Sequence, residues 1–124
     1  MKKYITGDLL HYKICNAKYL IEVTNTSKHG YCFKEVKDNF NGVICDEFIE
    51  DIPLTPKILE KNGWKKDKDG YFNDSYHIRL CKSNTNYAAY KVVNNSIVWL
   101  RAVENVPDLQ HLLFGLDISL KIEV

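Results

Sequence analysis

The sequence predicts an α+β protein, with a small SH3-like β-barrel or curled sheet over residues 1–53 and a mixed sheet with two short helices over residues 54–124. Three observations predict this arrangement. Short β-branched and aromatic runs with tight turns fill the first part, which is typical of small all-β structures. A helix start at Thr55 and Pro56, and a repeat of leucines near the end, then indicate two helices. We expect the two parts to share one core.

Four or five short strands are expected in the first part. Runs rich in β-branched and aromatic residues predict them over residues 7–14, 19–26, 31–36 and 43–52. Turns are expected at Asn16 and Ala17 and around Gly30, where glycine accepts a positive φ. Asn41 and Gly42 are the strongest two-residue hairpin signal in this part, so a tight turn is predicted there.

The first helix is expected directly after the barrel-like part. Thr55 is a suitable N-cap, and Pro56 occupies the first helical position, where its missing N–H costs nothing. Ile58 and Leu59 supply an apolar side, and Gly63 offers a left-handed stop. The sequence therefore predicts a short helix that begins at Pro56 and ends before Gly63.

The second part is expected to contain further strands and one amphipathic helix. A strand is predicted over residues 76–81, and a last short strand over residues 119–124. Between them, apolar residues recur at helical spacing over residues 106–116, which predicts a helix with Gly115 as its stop.

A hairpin is predicted around Asn94 and Asn95, which accept the positive φ of a tight turn. A two-residue turn gives three cross-strand pairs: Val92 with Ile97, Tyr90 with Trp99, and Ala88 with Arg101. Both faces of this hairpin are substantially apolar, so both need a cover. The second helix can cover one face, and the N-terminal sheet, a second copy of the chain or a ligand can cover the other. We expect a homodimer that buries Trp99, with Arg101 at its rim.

Charge and motif content argue against several classes of function. Lys and Arg number 17 against 16 for Asp and Glu, and the formal net charge of +1 argues against a dominant phosphate-binding surface. The histidines and cysteines have no zinc-type spacing, and there is no glycine-rich phosphate loop or nucleophile elbow. The sequence therefore predicts no enzyme, no metal site and no cofactor.

The expected location is the cytoplasm. No apolar run approaches the roughly 18 residues of a membrane span, and the start of the chain lacks an apolar signal core. In that compartment the cysteines are expected to be reduced and packed as small hydrophobic residues. They are Cys15, Cys32, Cys45 and Cys81.

The residues most suggestive of a binding site are aromatic and basic and lie in the second part. The candidate ligand-binding set is Tyr76, His77, Arg79, Tyr90, Trp99 and Arg101, with Tyr87 and Lys91 beside them in sequence. Aromatic faces stack bases and guanidinium groups bind phosphate, each worth about 1–3 kcal/mol in favourable sites. The alternative is structural, because strands also collect tyrosine and tryptophan for packing and leave the charged residues as a solvated rim.

Three short motifs carry a resemblance to a known set of proteins. They are Gly7-Asp8-Leu9-Leu10, then Ile52-Pro53-Leu54-Thr55 with Leu59, Gly63 and Trp64, and finally Leu109-Gln110-His111-Leu112-Leu113-Phe114. With them the chain resembles small uncharacterised proteins of gut Bacteroidales genomes and of their phages and mobile elements. The motifs are structural, so the resemblance implies a phage or mobile-element setting and no catalytic residue.

These observations favour a non-enzymatic binding protein that interferes with a host process, such as defence, in the host cytoplasm. The expected partner is a host protein or a small nucleotide-type signal, and no membrane partner is expected. The alternative is a nucleic-acid-binding accessory protein that uses an aromatic-basic sheet face. A structural role in a phage particle is disfavoured, because nothing in the sequence suggests extended assembly arms.

Overall fold

The computed structural model describes residues 4–28, 30–119 and 121–124 of the chain. The chain divides into two compact units, Met1–Ile52 and Pro53–Val124, where the sequence predicted a boundary between residues 53 and 54. Each unit contains one antiparallel sheet, and two short α-helices follow the first unit. The predicted α+β class is therefore confirmed.

The first unit is a five-stranded antiparallel sheet with the strand order β4-β3-β2-β1-β5. Its strands are β1 (Leu9–Ile14), β2 (Ala17–Ser27), β3 (Gly30–Glu35), β4 (Asn41–Ile44) and β5 (Ile49–Glu50). A short 3-10 helix, Asp46–Phe48, connects β4 to β5, which returns beside β1. The edges of the sheet are β4 and β5, and within the described residues no pairing between them closes a barrel.

Alternate residues of the central strands build the core of the first unit. The buried cluster consists of Leu10, Ile21, Val23, Tyr31, Phe33 and Ile44. Successive side chains of a strand point to opposite faces, so residues two apart reach the same core. The β-branched and aromatic runs that predicted these strands supply most of the buried side chains.

The turn between β3 and β4 does not lie where the sequence predicted it. Asn41 and Gly42 begin β4, and the chain turns over residues 36–38. Glu35 is 3% exposed, and its two carboxylate oxygens accept backbone N–H groups of this turn at 2.9 and 2.6 Å. A hydrogen bond to a charged group contributes more free energy than the preference of an Asn-Gly pair for a tight turn. Glu35 therefore determines where the chain turns. Gly42 instead gives room to Phe33, whose ring would lie 2.8 Å from an added Cβ.

The first helix, α1 (Pro56–Lys61), forms as predicted. The hydroxyl oxygen of Thr55 accepts the backbone N–H of Ile58 at 3.3 Å and caps its first turn. Gly63 follows with φ of 86°, the left-handed conformation expected of the stop. Leu59 on the apolar side is fully buried.

Replacing Gly63 by valine is expected to destabilise the fold by about 1 kcal/mol or more, because a β-branched residue is strained at positive φ. No heavy atom lies within 4 Å of an added Cβ at this position, so the cost comes from the backbone and not from a clash. The midpoint of urea denaturation measures it. Pro56→Ala is the milder comparison, since Pro56 only pre-sets φ, and an unchanged midpoint and slope for Gly63→Val would contradict the prediction.

The second unit contains a five-stranded antiparallel sheet with the order β10-β9-β8-β7-β6. Its strands are β6 (Lys65–Lys66), β7 (Gly70–Asn73), β8 (Ile78–Lys82), β9 (Tyr87–Val93) and β10 (Ser96–Val103). The hairpin turn at Asn94 and Asn95, with φ of 46° and 67°, confirms the prediction. Every pairing is antiparallel, because the short turns cannot form the long crossovers that parallel strands need.

The second helix, α2 (Val106–Gly115), begins after Asn105, whose side-chain oxygen accepts the backbone N–H of Asp108 at 2.9 Å. Its buried side is the predicted one, with Val106, Leu109, Leu112 and Leu113. The predicted stop is displaced, because Gly115 remains helical and Asp117 takes the positive φ of 60°.

Where the structure describes residues 119–124, they do not form the predicted last strand. Residues 118–119 and 121–124 lie outside any strand, and Leu120 lies outside the described residues. Glu123 instead forms two hydrogen bonds with the side chain of Asn62, through its N–H at 2.8 Å and its carbonyl oxygen at 2.7 Å. The side-chain amide of Asn62, at the end of α1, therefore bonds to the backbone N–H and C=O of Glu123, which a neighbouring strand would otherwise have paired.

Three tyrosines make stability sensitive to alkaline pH. Burial, aided by a 2.7 Å hydrogen bond to Asp51, raises the pKa of Tyr4 well above its usual range, and burial also raises the pKa of Tyr71 and Tyr87. The unfolded chain ionises its tyrosines near pH 10, whereas the raised pKa values mean that these three tyrosines lose their protons at higher pH in the folded chain. Stability is therefore expected to be full below about pH 10 and to fall above it. Urea denaturation on both sides of that pH measures the fall, and equal midpoints would contradict it.

Candidate binding surface

Near its turn, the β9–β10 hairpin pairs as the sequence predicted. Ile97 lies opposite Val92, and Trp99 lies opposite Tyr90. Directly opposite residues of an antiparallel pair share a face of the sheet. Because side chains alternate along a strand, all four residues therefore lie on the same face.

This face continues across the whole sheet as one row of opposed residues. Trp99 on β10 lies opposite Tyr90 on β9, and Tyr90 lies opposite Arg79 on β8. Arg79 lies opposite Phe72 on β7, which lies opposite Lys65 on β6. We call this row, together with the neighbouring Val92–Ile97 pair, the open face.

Exposure distinguishes the open face from the other side of the same sheet. Trp99 is 59% exposed and Ile97 is 66% exposed. On the other side Leu80 and Ala89 are fully buried, and Tyr71 is 5% exposed. Along β7 and β8 the other side of the sheet therefore belongs to the core of the second unit, whereas on the open face Trp99 and Ile97 are exposed and Tyr90 and Phe72 are half-buried.

The charge of Arg79 on the open face is already neutralised. Its guanidinium group forms an ion pair with the carboxylate of Asp67. The same carboxylate accepts the backbone N–H groups of Asp69 and Gly70 at 3.0 and 3.1 Å, which holds it in position. Arg79 therefore contributes a flat, hydrogen-bonding surface more than a cation that attracts phosphate.

Arg101 lies on the opposite side from the open face, which corrects the predicted Ala88–Arg101 pair. A β-bulge at Leu100 inserts one residue, so Arg101 lies opposite Ala89. There its guanidinium group forms a 3.2 Å ion pair with Asp108 in the first turn of α2. Arg101 therefore holds the helix to the sheet.

No protein family, curated protein or solved structure matches this chain. The chemistry of its surfaces is therefore the basis for a functional proposal. The open face combines exposed aromatic and aliphatic side chains with one internally paired arginine and with the exposed Lys65 at its β6 end.

The two remaining members of the predicted set lie in the turn before β8. His77 is exposed with φ of 57°, and its carbonyl oxygen accepts the backbone N–H of Val92 at 2.9 Å. Tyr76 is half-buried, and its carbonyl oxygen accepts the side-chain ammonium of Lys91 at 3.2 Å. Their backbones thus tie the turn to β9 at the start of β8, directly before Ile78 and Arg79.

Sequence reasoning missed Phe72 and Lys65, which complete the row. The available signal was the alternation of Tyr71 and Phe72, since one of two adjacent strand residues must lie on each face. The two-residue strand β6 was not expected, and only its pairing with β7 brings Lys65 to this face.

The described residues contain no group of three or more His, Cys, Asp or Glu side chains that could hold a metal ion. All four cysteines are free, and Cys15 and Cys45 are exposed, so the expectation that they are packed as hydrophobic residues is wrong for these two. Among the described residues, no helix has the length and apolar character required to span a membrane.

A cavity of about 300 Å³ lies at the β6–β7 end of the second unit. Its ionic and aromatic lining comprises Lys66, Lys68, Lys82, Asp67, Asp69, Tyr71 and Tyr87. The ammonium group of Lys82 lies 4.7 Å from the centre of the Tyr87 ring, a cation–π contact. Since Asp67 is paired with Arg79, the lysines leave the lining with an excess of positive charge.

Proposed function

We propose that this chain is a non-enzymatic binding protein and that its open face binds a protein partner. The observation that carries the proposal is the exposure of Trp99 and Ile97 on the face where Tyr90 lies between Trp99 and a neutralised Arg79. Trp, Tyr and Arg are the residues that most often dominate the energy of protein interfaces. Neighbouring apolar side chains that are exposed together often mark an interaction site on a soluble protein.

The proposed setting is a phage or mobile element, with a host protein, such as a component of defence, as the partner in the host cytoplasm. The support for this part is the resemblance carried by the motifs at residues 7–10, 52–64 and 109–114.

We also propose an SH3-like form for the first unit. Its support is the strand order, in which β5 returns beside β1 after a 3-10 helix.

A comparison of matched variants tests the open face. Wild type, Tyr90→Ala and Val43→Ala are used to isolate proteins from a Bacteroidales lysate, and each retained protein is purified and its affinity measured. Val43 is 63% exposed on the first unit and is the control. We expect one partner that binds wild type and Val43→Ala alike and binds Tyr90→Ala at least about tenfold more weakly, the effect of a 1.4 kcal/mol hot spot. Equal affinity for all three would overturn the proposal.

Single-stranded nucleic acid is the competing occupant of the open face, since Trp99 and Tyr90 could stack bases. Phosphate contacts make such binding strongly dependent on salt, with a slope of about −0.7 per neutralised phosphate on a logarithmic plot. The pairing of Arg79 with Asp67 removes one cation from that role. We expect a fluorescent single-stranded oligonucleotide to bind weakly, and tight binding with a steep salt slope would favour the nucleic-acid function instead.

A second candidate function is the binding of a small nucleotide-type signal in the cavity. The observation that favours it is the lining, with three lysines beside tyrosine rings in a volume at the lower end of the range for ligand sites. Calorimetric titration with a mononucleotide tests it, with Lys68→Ala as the site variant and Lys34→Ala as the control. Binding lost in Lys68→Ala and kept in Lys34→Ala supports this function, whereas equal binding or none argues against it.

A further inference from the structure

Strand β10 lies at the edge of the second sheet, and the side chains of its first half, residues 96–99, are exposed on both faces. Ile97 and Trp99 on the open face are 66% and 59% exposed, and Val98 on the other side is 49% exposed. No charged residue or proline occurs from Ser96 to Leu100. Edge strands are usually protected by charge, proline or a cover, because their unpaired backbone groups otherwise recruit another strand.

The backbone groups that this edge presents can be read from the neighbouring strand. The N–H of Val92 donates to the carbonyl oxygen of His77 at 2.9 Å, so Val92 bonds towards β8. Val92 and Ile97 are therefore a non-hydrogen-bonded pair, and the N–H and C=O of Ile97 point away from the sheet. By the same alternation, Trp99 also presents its N–H and C=O at the free edge, whereas Val98 bonds inward.

We propose that β10 pairs antiparallel with β10 of a second copy of this chain, with Val98 on the two-fold axis. Ile97 then lies opposite Trp99 of the partner subunit, and the reverse pair is made by symmetry. Both of these residues carry outward backbone groups, so each pair closes two hydrogen bonds. The two Val98 side chains meet across the axis as a non-hydrogen-bonded pair, the closer of the two antiparallel spacings.

The sequence of the edge suits a second copy in particular. A two-fold antiparallel pairing is self-complementary, and this register matches each aromatic side chain with a β-branched one, a favourable cross-strand pair. With no charge from Ser96 to Leu100, no like charges oppose each other. The bulge at Leu100 ends the regular ladder on both sides, which fixes the paired segment to the residues before it.

The pairing would join the two sheets into one sheet of ten strands and leave the open faces of both copies on the same side. It requires no occupant on the open face, so it stands independently of the partner proposed above. A host partner with two equivalent sites would bind such a dimer with increased avidity.

Charge substitution at the axis tests both the dimer and its register. By light scattering with size-exclusion chromatography, we expect wild type to have twice the monomer mass of 14.4 kDa at micromolar concentration. Val98→Glu and Val98→Lys each place like charges face to face, so each alone is expected to run at 14.4 kDa. An equimolar mixture of the two variants is expected to restore the double mass, because glutamate then faces lysine across the axis.

Controls separate this interface from others. Val43 is 63% exposed on β4, an edge strand of the first sheet, so Val43→Glu and Val43→Lys are expected to remain dimeric. Circular dichroism checks that the Val98 variants stay folded; if one unfolds, Ile97→Pro replaces it as the dissociating variant, because proline removes the N–H that points to the partner strand and none that bonds within the hairpin. The proposal is overturned by a monomeric wild type, by folded Val98 variants that remain dimers, by a mixture that stays monomeric, or by dissociation of Tyr90→Ala, which would indicate stacking of the open faces.

Discussion

Replacing Leu113 by alanine is expected to lower the free energy of unfolding by about 2–5 kcal/mol, the range for a buried leucine that leaves a cavity. Leu113 lies on the buried side of α2 and is 1% exposed. The substitution removes its apolar contacts, while alanine retains the helix propensity of the position. The loss therefore reports packing alone, and urea denaturation followed by circular dichroism measures it.

The next residue in the helix provides a matched control. Phe114 is the larger side chain, but it is 75% exposed. Phe114→Ala is therefore expected to change stability by less than about 0.5 kcal/mol, as for an ordinary surface position. If Phe114→Ala lowers the free energy of unfolding as much as Leu113→Ala does, the buried side of α2 is assigned to the wrong residues.

Replacing Gly70 by alanine is expected to destabilise the second unit by about 1–3 kcal/mol or more, the range for a core that is forced to accept extra atoms. An added Cβ would lie 1.9 Å from the carbonyl oxygen of Leu80, on the neighbouring strand β8. Because the obstacle is backbone, no side-chain rotation can relieve the clash. The strands β7 and β8 must separate, and Leu80 and Cys81 must move with them.

Gly115→Ala is the control for that prediction. Gly115 lies at the end of α2 with a helical backbone, and no heavy atom lies within 4 Å of an added Cβ. Alanine there restricts the unfolded chain and is expected to be neutral or stabilising by about 0.4–1 kcal/mol. Thermal and urea denaturation of the two variants compare them directly. A Gly70→Ala protein as stable as wild type would show that β7 and β8 are not held so close.

The cross-strand pairs predicted for β9 and β10 are correct near the turn and wrong beyond the β-bulge. The tight turn at Asn94 and Asn95 correctly predicted that Tyr90 faces Trp99, because a two-residue loop determines which residues oppose each other near it. Beyond Leu100 the predicted pairs are wrong, since one inserted residue transfers every later side chain to the other face. Arg101 was therefore assigned to the wrong side of the sheet.

The sequence alone determined the features that depend on neighbours along the chain. Thr55 and Gly63 set the two ends of α1, because the cap and the left-handed stop each act within one turn of helix. The leucines of α2 identified its buried side because their spacing alone sets the face of a helix.

Tertiary structure decided the features that depend on residues far apart in sequence. The β3–β4 turn lies away from Asn41 and Gly42, because buried Glu35 binds the turn and the Phe33 ring occupies the space beside Gly42. The C-terminal segment forms no strand within the described residues, because Asn62 satisfies the backbone of Glu123 from 61 positions away. Local preference is worth a few tenths of a kcal/mol to about 1 kcal/mol per residue, so a buried charged hydrogen bond or a packed ring overrides it.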